Sequence, residues 1–337
     1  MPLNFTRKPR RLSMNERIII IDGLNMFLRS YIVVPQLSKE GQPIGGTTGF
    51  LKSLQKLCRE MKPTQIVVCW DGQGGSRKRK QQNKNYKEGR APIRLNRNFK
   101  VLTEDQEKEN KIWQQERICE YLNNFPVMQL IADEVEADDI ISYMCRYSSL
   151  RDSEKIIVSS DKDFYQLLDQ KTILYRPVQK KLLTQNSIIE EHDIHPNNFA
   201  LARAIVGDKS DNLDGVPGIG LKTVAKRFPF FKKEEDVYIN DLIEFCENQE
   251  SNAKAFISIK ENKPLIKSNY NLMQLYSPSL STQTKQSIEW IIDNFEHTFN
   301  KTQTHKMMLE DGINEINWGS MFESFARIQR DKKELNK

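Results

Sequence analysis

The stretch IADEVEADDIISYMCRYSSLRDSEKIIVSSDKDF, residues 131–164, decides how this chain folds. Ile140-Ile141-Ser142-Tyr143-Met144 has the apolar spacing and length of a helix. Glu136, Asp138 and Asp139 stand at its mouth, where a helix N-terminus favours negative charge. Further on, Ile156-Ile157-Val158 reads as a buried parallel strand that delivers Asp161 and Asp163 just past its C-terminal end. Open α/β sheets bind their ligands at that edge. Two carboxylates 4 Å apart repel by about 4 kcal/mol at an effective dielectric near 20, so a cluster of five needs countercharge. Divalent cations are the natural source, and oxygen ligands without interleaved Cys or His point to Mg²⁺ or Mn²⁺ rather than zinc. Read alone, EADD fits a capping acid with solvated charge equally well. The SSDKDF segment behind the strand favours metal.

Working outward, IIIIDG gives a short buried strand ending at Asp22, followed by a helix through LNMFLRSY. QIVVCW, residues 65–70, gives another strand and also ends on an acid, Asp71. Three strands ending on acid, with an acidic helix start among them, imply convergence on one site. Gly45-Gly46-Thr47-Thr48-Gly49 lacks the P-loop lysine and reads as a loop leading into the helix FLKSLQKLC. After Asp71 the composition turns basic: Arg77, Lys78, Arg79, Lys80, Lys84, Lys87, Arg90, Arg94, Arg97 and Lys100 face the single acid Glu88. Such a block is often simply solvated or disordered. Its departure from a strand that ends on a ligand favours a mobile element that arches over the site and grips phosphates, with Tyr86 and Phe99 available to stack on bases.

Past the acidic stretch, KTILYRPVQKKLLT reads as a hairpin-like return and NSIIEEHDIHPNNFALARAIVG as helices. In GDKSDNLDGVPGIGLKTVAKRF, Asp208 and Asp211 lie three apart, near enough in a helical turn to share a cation. The turn Gly215–Gly220 leads into a helix with Lys222 and Thr223. Its glycines let backbone approach phosphate closely, and the free N–H groups at the helix start receive it. Amphipathic helices follow, with a linker near 277–284 and a disordered tail at RDKKELNK.

Length, 337 residues, admits a substantial core, and 28% charged with 38% hydrophobic residues excludes wholesale disorder. The net charge of +6 combines acids in short motifs with bases in runs, which suits a polyanion held by metal ions. Five scattered cysteines without a CxxC pair argue against a disulfide framework or a zinc site. His192 and His195 read as surface or turn residues. The basic N-terminus is followed by too short an apolar run for a signal peptide or a membrane span. A soluble, cytoplasmic protein follows, in the host cytoplasm if it is of phage origin, with no membrane association.

At IDGLNMFLRS, VVCWDG, NYKEGRAP, EVEADDII, VSSDKDFYQL and GDKSDNLDGVPGIGLKTVAKRF the chain resembles the 5′-nuclease family: flap endonucleases, phage 5′-exonucleases and the 5′-nuclease domain of bacterial DNA polymerase I. The resemblance implies an α/β fold, a mostly parallel twisted sheet with helices on both faces (a PIN-like core), plus a C-terminal helical DNA-binding region of helix-hairpin-helix type. It implies metal-binding roles for Asp22, Asp71, Glu136, Asp138, Asp139, Asp161, Asp163, Asp208 and Asp211. Catalytic contacts to the scissile phosphate fall to Lys87 and Arg90. It implies that the turn with Gly218, Gly220 and Lys222 holds duplex DNA, often with a bound K⁺; Thr223 beside it, and Arg77, Arg79, Lys84 and Tyr86 of the basic block, complete the expected DNA-binding residues. Two departures stand out: Asp214 inside that turn, and an arch rich in Gln, Asn and Arg, whose helicity is not assumed.

The expected organisation is a basic arm (1–17), a nuclease core (18–184) with the arch at about 73–111, a helical DNA-binding region (185–276) with the turn at 207–228, and a C-terminal helical segment (277–337). The expected activity is Mg²⁺-dependent flap endonuclease and 5′-3′ exonuclease action by a two-metal mechanism, in replication or repair. Substrates are DNA with 5′ flaps, nicks or single-strand/duplex junctions, and RNA–DNA hybrids whose primers are removed by ribonuclease H-type activity. A monomer is expected, meeting single-strand-binding protein or a sliding clamp through its C-terminal segment. A PIN-type metal-dependent ribonuclease would need neither arch nor hairpin turn, and a catalytically silent junction-binding protein should have lost some of the carboxylates.

Overall fold

A computed structural model describes residues 16–89, 94–95, 102–249, 253–314 and 316–335. The N-terminal basic arm up to residue 15, Arg90, Arg97, Phe99 and Lys100 lie outside the described residues. Six strands form one sheet: β1 (Arg17–Asp22), β2 (Gln65–Cys69), β3 (Val127–Leu130), β4 (Glu154–Val158), β5 (Thr172–Arg176) and β6 (Lys181–Leu183), in the order β3-β2-β1-β4-β5-β6. All neighbours are parallel except the β5–β6 hairpin. The chain runs outward from β1 through β2 to β3, then returns to place β4 on the other side of β1. This reversal opens a crevice at the carboxyl ends of β1 and β4, the address at which such sheets hold ligands.

The continuous apolar runs follow from burial on both faces. Ile18 and Ile20 enter one core with Val67, Cys69 and Ile157, whereas Ile19 and Ile21 enter the other with Ile66, Val68, Ile156 and Val158. Helices Ala137–Arg146, Pro196–Val206 and Lys263–Met273 contribute to the first core. Helices Gly23–Val33, Gly45–Met61 and Glu104–Asn123 contribute to the second. The last two helices, Lys301–Asp311 and Trp318–Leu335, close that second layer: Met307, Met308, Ile313, Met321, Phe325 and Ile328 belong to the same core as Ile19 and Val68, whereas Ile288 of helix Thr282–Asn294 joins the first.

Several expectations change. Gly45, Gly46 and Gly49 are the first turn of the Gly45–Met61 helix rather than a loop. A Cβ at Gly45 would stand 1.7 Å from the Val34 carbonyl oxygen, and one at Gly49 would meet Ser30, so these glycines allow two helices to pack backbone to backbone. Residues 330–335 of the expected disordered tail are instead the end of the Trp318–Leu335 helix, where Lys332 Nζ bonds Gln65 Oε1 at 2.9 Å and pairs with Glu16. His195 is no surface residue. It is 4% exposed and caps the Pro196–Val206 helix by accepting from the Asn197 amide, while the ring of His192 packs against Tyr165 and Phe199.

Candidate metal and nucleic-acid site

Each acid reaches the crevice for a local reason. Asp22 ends β1 and caps the next helix, accepting from the Asn25 amide at 3.0 Å and from Ser159 Oγ at 2.9 Å. Asp71, just past β2, accepts from the Ala137 amide at 2.8 Å and so caps the acidic helix from outside it. Asp161 follows β4 and accepts from the Asp163 amide at 2.8 Å, which folds this loop back over the sheet edge. Together Asp22, Asp71, Asp138, Asp161, Asp163 and Asp211 line one cavity of about 150 Å³, with Lys87 as its cation.

Packing these carboxyls together shifts them. Burial first, then repulsion from Asp71 and Asp161, pushes Asp22 up to about 7, although the Asn25 and Ser159 donors oppose the shift. Burial and Asp161 push Asp163 up to about 7 against the pull of Arg203. Asp138 is driven well above the carboxylate range by burial, Asp161 and Asp22, and Asp161 is also raised, chiefly by burial. The cavity therefore holds more negative charge than its own cations satisfy.

Not every predicted ligand faces that cavity. Glu136 and Asp139 lie three apart on one side of the helix start. Arg79 joins both: its Nη1 meets a Glu136 oxygen and stands 2.9 Å from Asp139 Oδ2. Lys87 Nζ bonds Glu136 Oε1 at 2.7 Å, and the Ser279 amide donates to Asp139 Oδ1 at 2.9 Å. Burial would raise the Glu136 carboxyl, but Arg79 and Lys87 outweigh it and hold it below its ordinary range. Asp208 is turned to Arg203 and accepts from the Ser210 amide at 2.8 Å, and it does not line the cavity beside Asp211. The cavity thus receives six of the nine proposed ligands. Glu136, Asp139 and Asp208 pair with arginines beside it.

The arch also divides. Its first part is a short helix, Arg77–Gln82. Arg77 and Lys84 are exposed along an open groove, and Arg77 pairs with Glu134. Arg79 is only 12% exposed in its side chain, and its Nε also donates to the Leu272 carbonyl at 3.0 Å. This corrects the expectation that it grips phosphate: it fastens the arch to the nuclease core and to the Lys263–Met273 helix. Tyr86 is corrected likewise. It is 4% exposed, packed with Leu213, Leu272 and Met273, and has no free face for a base. Breaking a buried ion pair from one side costs about 3–5 kcal/mol. Arg79→Ala should therefore lower the urea midpoint by an amount equivalent to about 3 kcal/mol, and a midpoint equal to the parent's would return Arg79 to the phosphate-binding group.

In the hairpin turn, Gly218 takes φ +76°, a conformation that L side chains rarely adopt, and a Cβ at either Gly218 or Gly220 would meet nothing. Both backbones are open to an incoming ligand. Lys222 is exposed and Thr223 half-exposed at the start of helix Leu221–Arg227, and the side of Asp214 faces solvent.

Three polar residues escaped the sequence reading: Ser159, which orients Asp22 and accepts from the Asp161 amide; Asn25, whose Oδ1 receives the Ser160 amide at 3.1 Å; and Arg203, which bridges Asp163 and Asp208. Arg203 alone left a signal, as the one charge in the apolar run ALARAIV.

The donor set is oxygen throughout and carries excess negative charge, which fits a hard divalent cation. Among the described residues no group of three or more His, Cys, Asp or Glu is assembled to hold an ion unaided.

Comparison with known proteins follows the same line. A 5′-3′ exonuclease from Aquifex aeolicus is 28% identical over 226 residues, 66% of this chain and 72% of that protein. The thermostable DNA polymerase I of Thermus aquaticus is 31% identical over 211 residues, 62% of this chain but 23% of the polymerase. The chain therefore spans about a quarter of the polymerase relatives' length. Among solved structures, T5 5′-exonuclease with bound zinc superposes with a TM-score of 0.64 at 18% identity, covering 83% of this chain and 99% of that one. A bacteriophage T5 flap endonuclease complexed with DNA and metal ions superposes with a TM-score of 0.61 at 17% identity, covering 94% and 100%. At those identities the likeness is one of fold. The model of the 5′-3′ exonuclease N-terminal, resolvase-like domain matches residues 17–193, more than half of the chain, and the chain belongs to the 5′-3′ exonuclease family.

Proposed function

We propose that this nuclease hydrolyses phosphodiesters at 5′ ends and at junctions between single-stranded and duplex DNA, with Mg²⁺ or Mn²⁺ as its metal. The observation that carries the reading is the acid-lined cavity at the sheet's switch point, entered from the arch side by Lys87. Asp22, Asp71, Asp138, Asp161, Asp163 and Asp211 would hold the metal. Bound divalent ions supply countercharge, an activated water and relief of charge on the leaving oxygen. The chain's own residues do the rest. Ser159 and Asn25 fix the loop carrying Asp161, Lys87 offers a cation to the reacting phosphate, and the Gly218–Gly220 backbone with Lys222 offers unreactive grip on a downstream duplex.

K⁺ at the hairpin turn, RNA–DNA hybrids as substrates and action in the cytoplasm remain part of this proposal. Among the described residues no helix is long and apolar enough to cross a membrane. Docking of single-strand-binding protein or a sliding clamp on segment 277–337 has less in its favour, because Met307, Phe325 and Ile328 are committed to the core, and Trp290 and Leu309 point outward at 67% and 53% exposure on separate helices.

The test is cleavage of 5′-labelled flap, nicked, RNA–DNA and single-stranded substrates with and without Mg²⁺. Metal-dependent cutting concentrated at the junctions is expected. Cleavage confined to single-stranded RNA would favour the PIN-type ribonuclease.

A further inference from the structure

The base of the arch and the start of the hairpin region, distant in sequence, are tied together by a short set of contacts. Asn212 Nδ2 donates to the Asn85 carbonyl at 3.0 Å. One residue to either side, the Lys87 amide donates to the Asp211 carbonyl at 2.9 Å, and the ring of Tyr86 packs on Leu213. Both sides of this junction hold backbone in the left-handed region, with Lys87 at φ +57° and Asn212 at φ +57°. Asn is among the few non-glycine residues that tolerate that conformation, and here its side chain reaches across to residue 85. On the far side of Asn212 the chain passes through Gly215, where a Cβ would stand 1.9 Å from the Val206 carbonyl oxygen. Little slack therefore separates the phosphate-holding turn from the junction.

We infer that Asn212 is a positioning residue that couples a duplex seated on the hairpin turn to the placement of Lys87 in the acidic cavity. This rests on the nuclease reading above and deepens it, by naming how the enzyme favours substrates with a duplex beside the cleavable bond. A duplex fixes the turn, the turn fixes residues 211–213, and those residues carry 85–87. With single-stranded DNA the turn is unheld and the link passes on nothing. Asn212 touches neither the cavity nor the groove along the arch, so it acts only through its neighbours.

The test variant is Asn212→Gly, which keeps the left-handed backbone without strain and removes only the side-chain amide. Single-turnover cleavage of a flap substrate should fall roughly three- to tenfold, the worth of one hydrogen bond between uncharged groups. Duplex affinity and cleavage of single-stranded DNA should stay at parental values, and the melting temperature should fall by no more than about 2–4 °C. In a Lys87→Ala background the same change should have no further effect, because residues acting as one unit are non-additive. An equal fall on flap and single-stranded substrates, a fall carried by affinity alone, or full additivity with Lys87→Ala would each overturn the coupling. A parent protein that cleaves neither substrate would overturn the nuclease reading itself, and the coupling with it.

Discussion

Replacing Asp161 by Asn should lower cleavage by about 10³-fold, as losing about 4 kcal/mol of charge stabilisation at a metal site implies, and should make the metal-free protein more stable rather than less. The fold keeps its local support, because Asn retains an oxygen to accept from the Asp163 amide. What disappears is a buried carboxylate that repels Asp138 and Asp163. The sign follows from linkage. Carboxyls whose folded pKa is raised, Asp22 and Asp163 to about 7 among them, bind more protons folded than unfolded between the ordinary carboxylate range and about 7. Stability contributed by these groups is therefore present in acid and lost as pH rises through that window. The melting-temperature advantage of Asp161→Asn over the parent should be near zero at the acid end and largest above pH 7. Adding Mg²⁺ at alkaline pH should close the gap, by stabilising the parent more than the variant. Thermal scans across pH, with and without Mg²⁺, read this directly. A variant that melts below the parent throughout, or that still cuts at the parental rate, would sink the shared-site assignment.

The sheet was legible because strands buried on both faces leave unbroken apolar runs, and IIIID, IVVC and KIIV each carry that mark before an acid. The cavity was legible for the same reason, since three strands that end on aspartate in a parallel sheet must end on the same edge. Finer placement was not. Glu136, Asp138 and Asp139 look alike in EADD, yet 136 and 139 share a helix side and meet Arg79 while 138 alone turns inward. The helical period could have separated them, but only a partner 57 residues earlier in the chain decides which side is the cavity. Arg79 and Tyr86 sat inside a run of solvated-looking polar residues, and nothing local distinguishes a base that reaches the core from one that reaches phosphate. The C-terminal helices showed amphipathic periodicity without naming the surface they cover. For the last two helices that surface proved to be the sheet's own second face, where the Phe325 and Phe125 rings lie 4.6 Å apart, whereas Ile288 of the helix before them joins the first core with Ile266 and Phe256.

Lys87→Ala should lower turnover on flap DNA by about 10²–10³-fold while changing affinity by little, because one phosphate contact among many contributes a small share of binding. The side chain is already at the cavity, and Glu136 occupies it there as a stand-in anion. To reach a phosphate Lys87 exchanges one anionic oxygen for another, so the move costs little, and Glu136 keeps Arg79 and the Tyr86 hydroxyl when Lys87 leaves. Burial works to lower the Lys87 ammonium, but Glu136 and Asp138 outweigh it and hold it above its ordinary range. A group so held stays charged throughout neutral and moderately alkaline pH, and the alkaline limb of the rate profile should not move in Lys87→Arg, which keeps the charge. Alanine inherits the φ of +57° and relieves none of its strain, so a lost rate in Lys87→Ala cannot be assigned to a relaxed backbone. Lys87→Gly does relieve it and should be at least as stable as Lys87→Ala by urea denaturation. Single-turnover rates and binding isotherms on one flap substrate separate the two roles. Losses that appear in affinity and leave turnover intact would make Lys87 part of an electrostatic funnel, with the reacting phosphate served by metal alone.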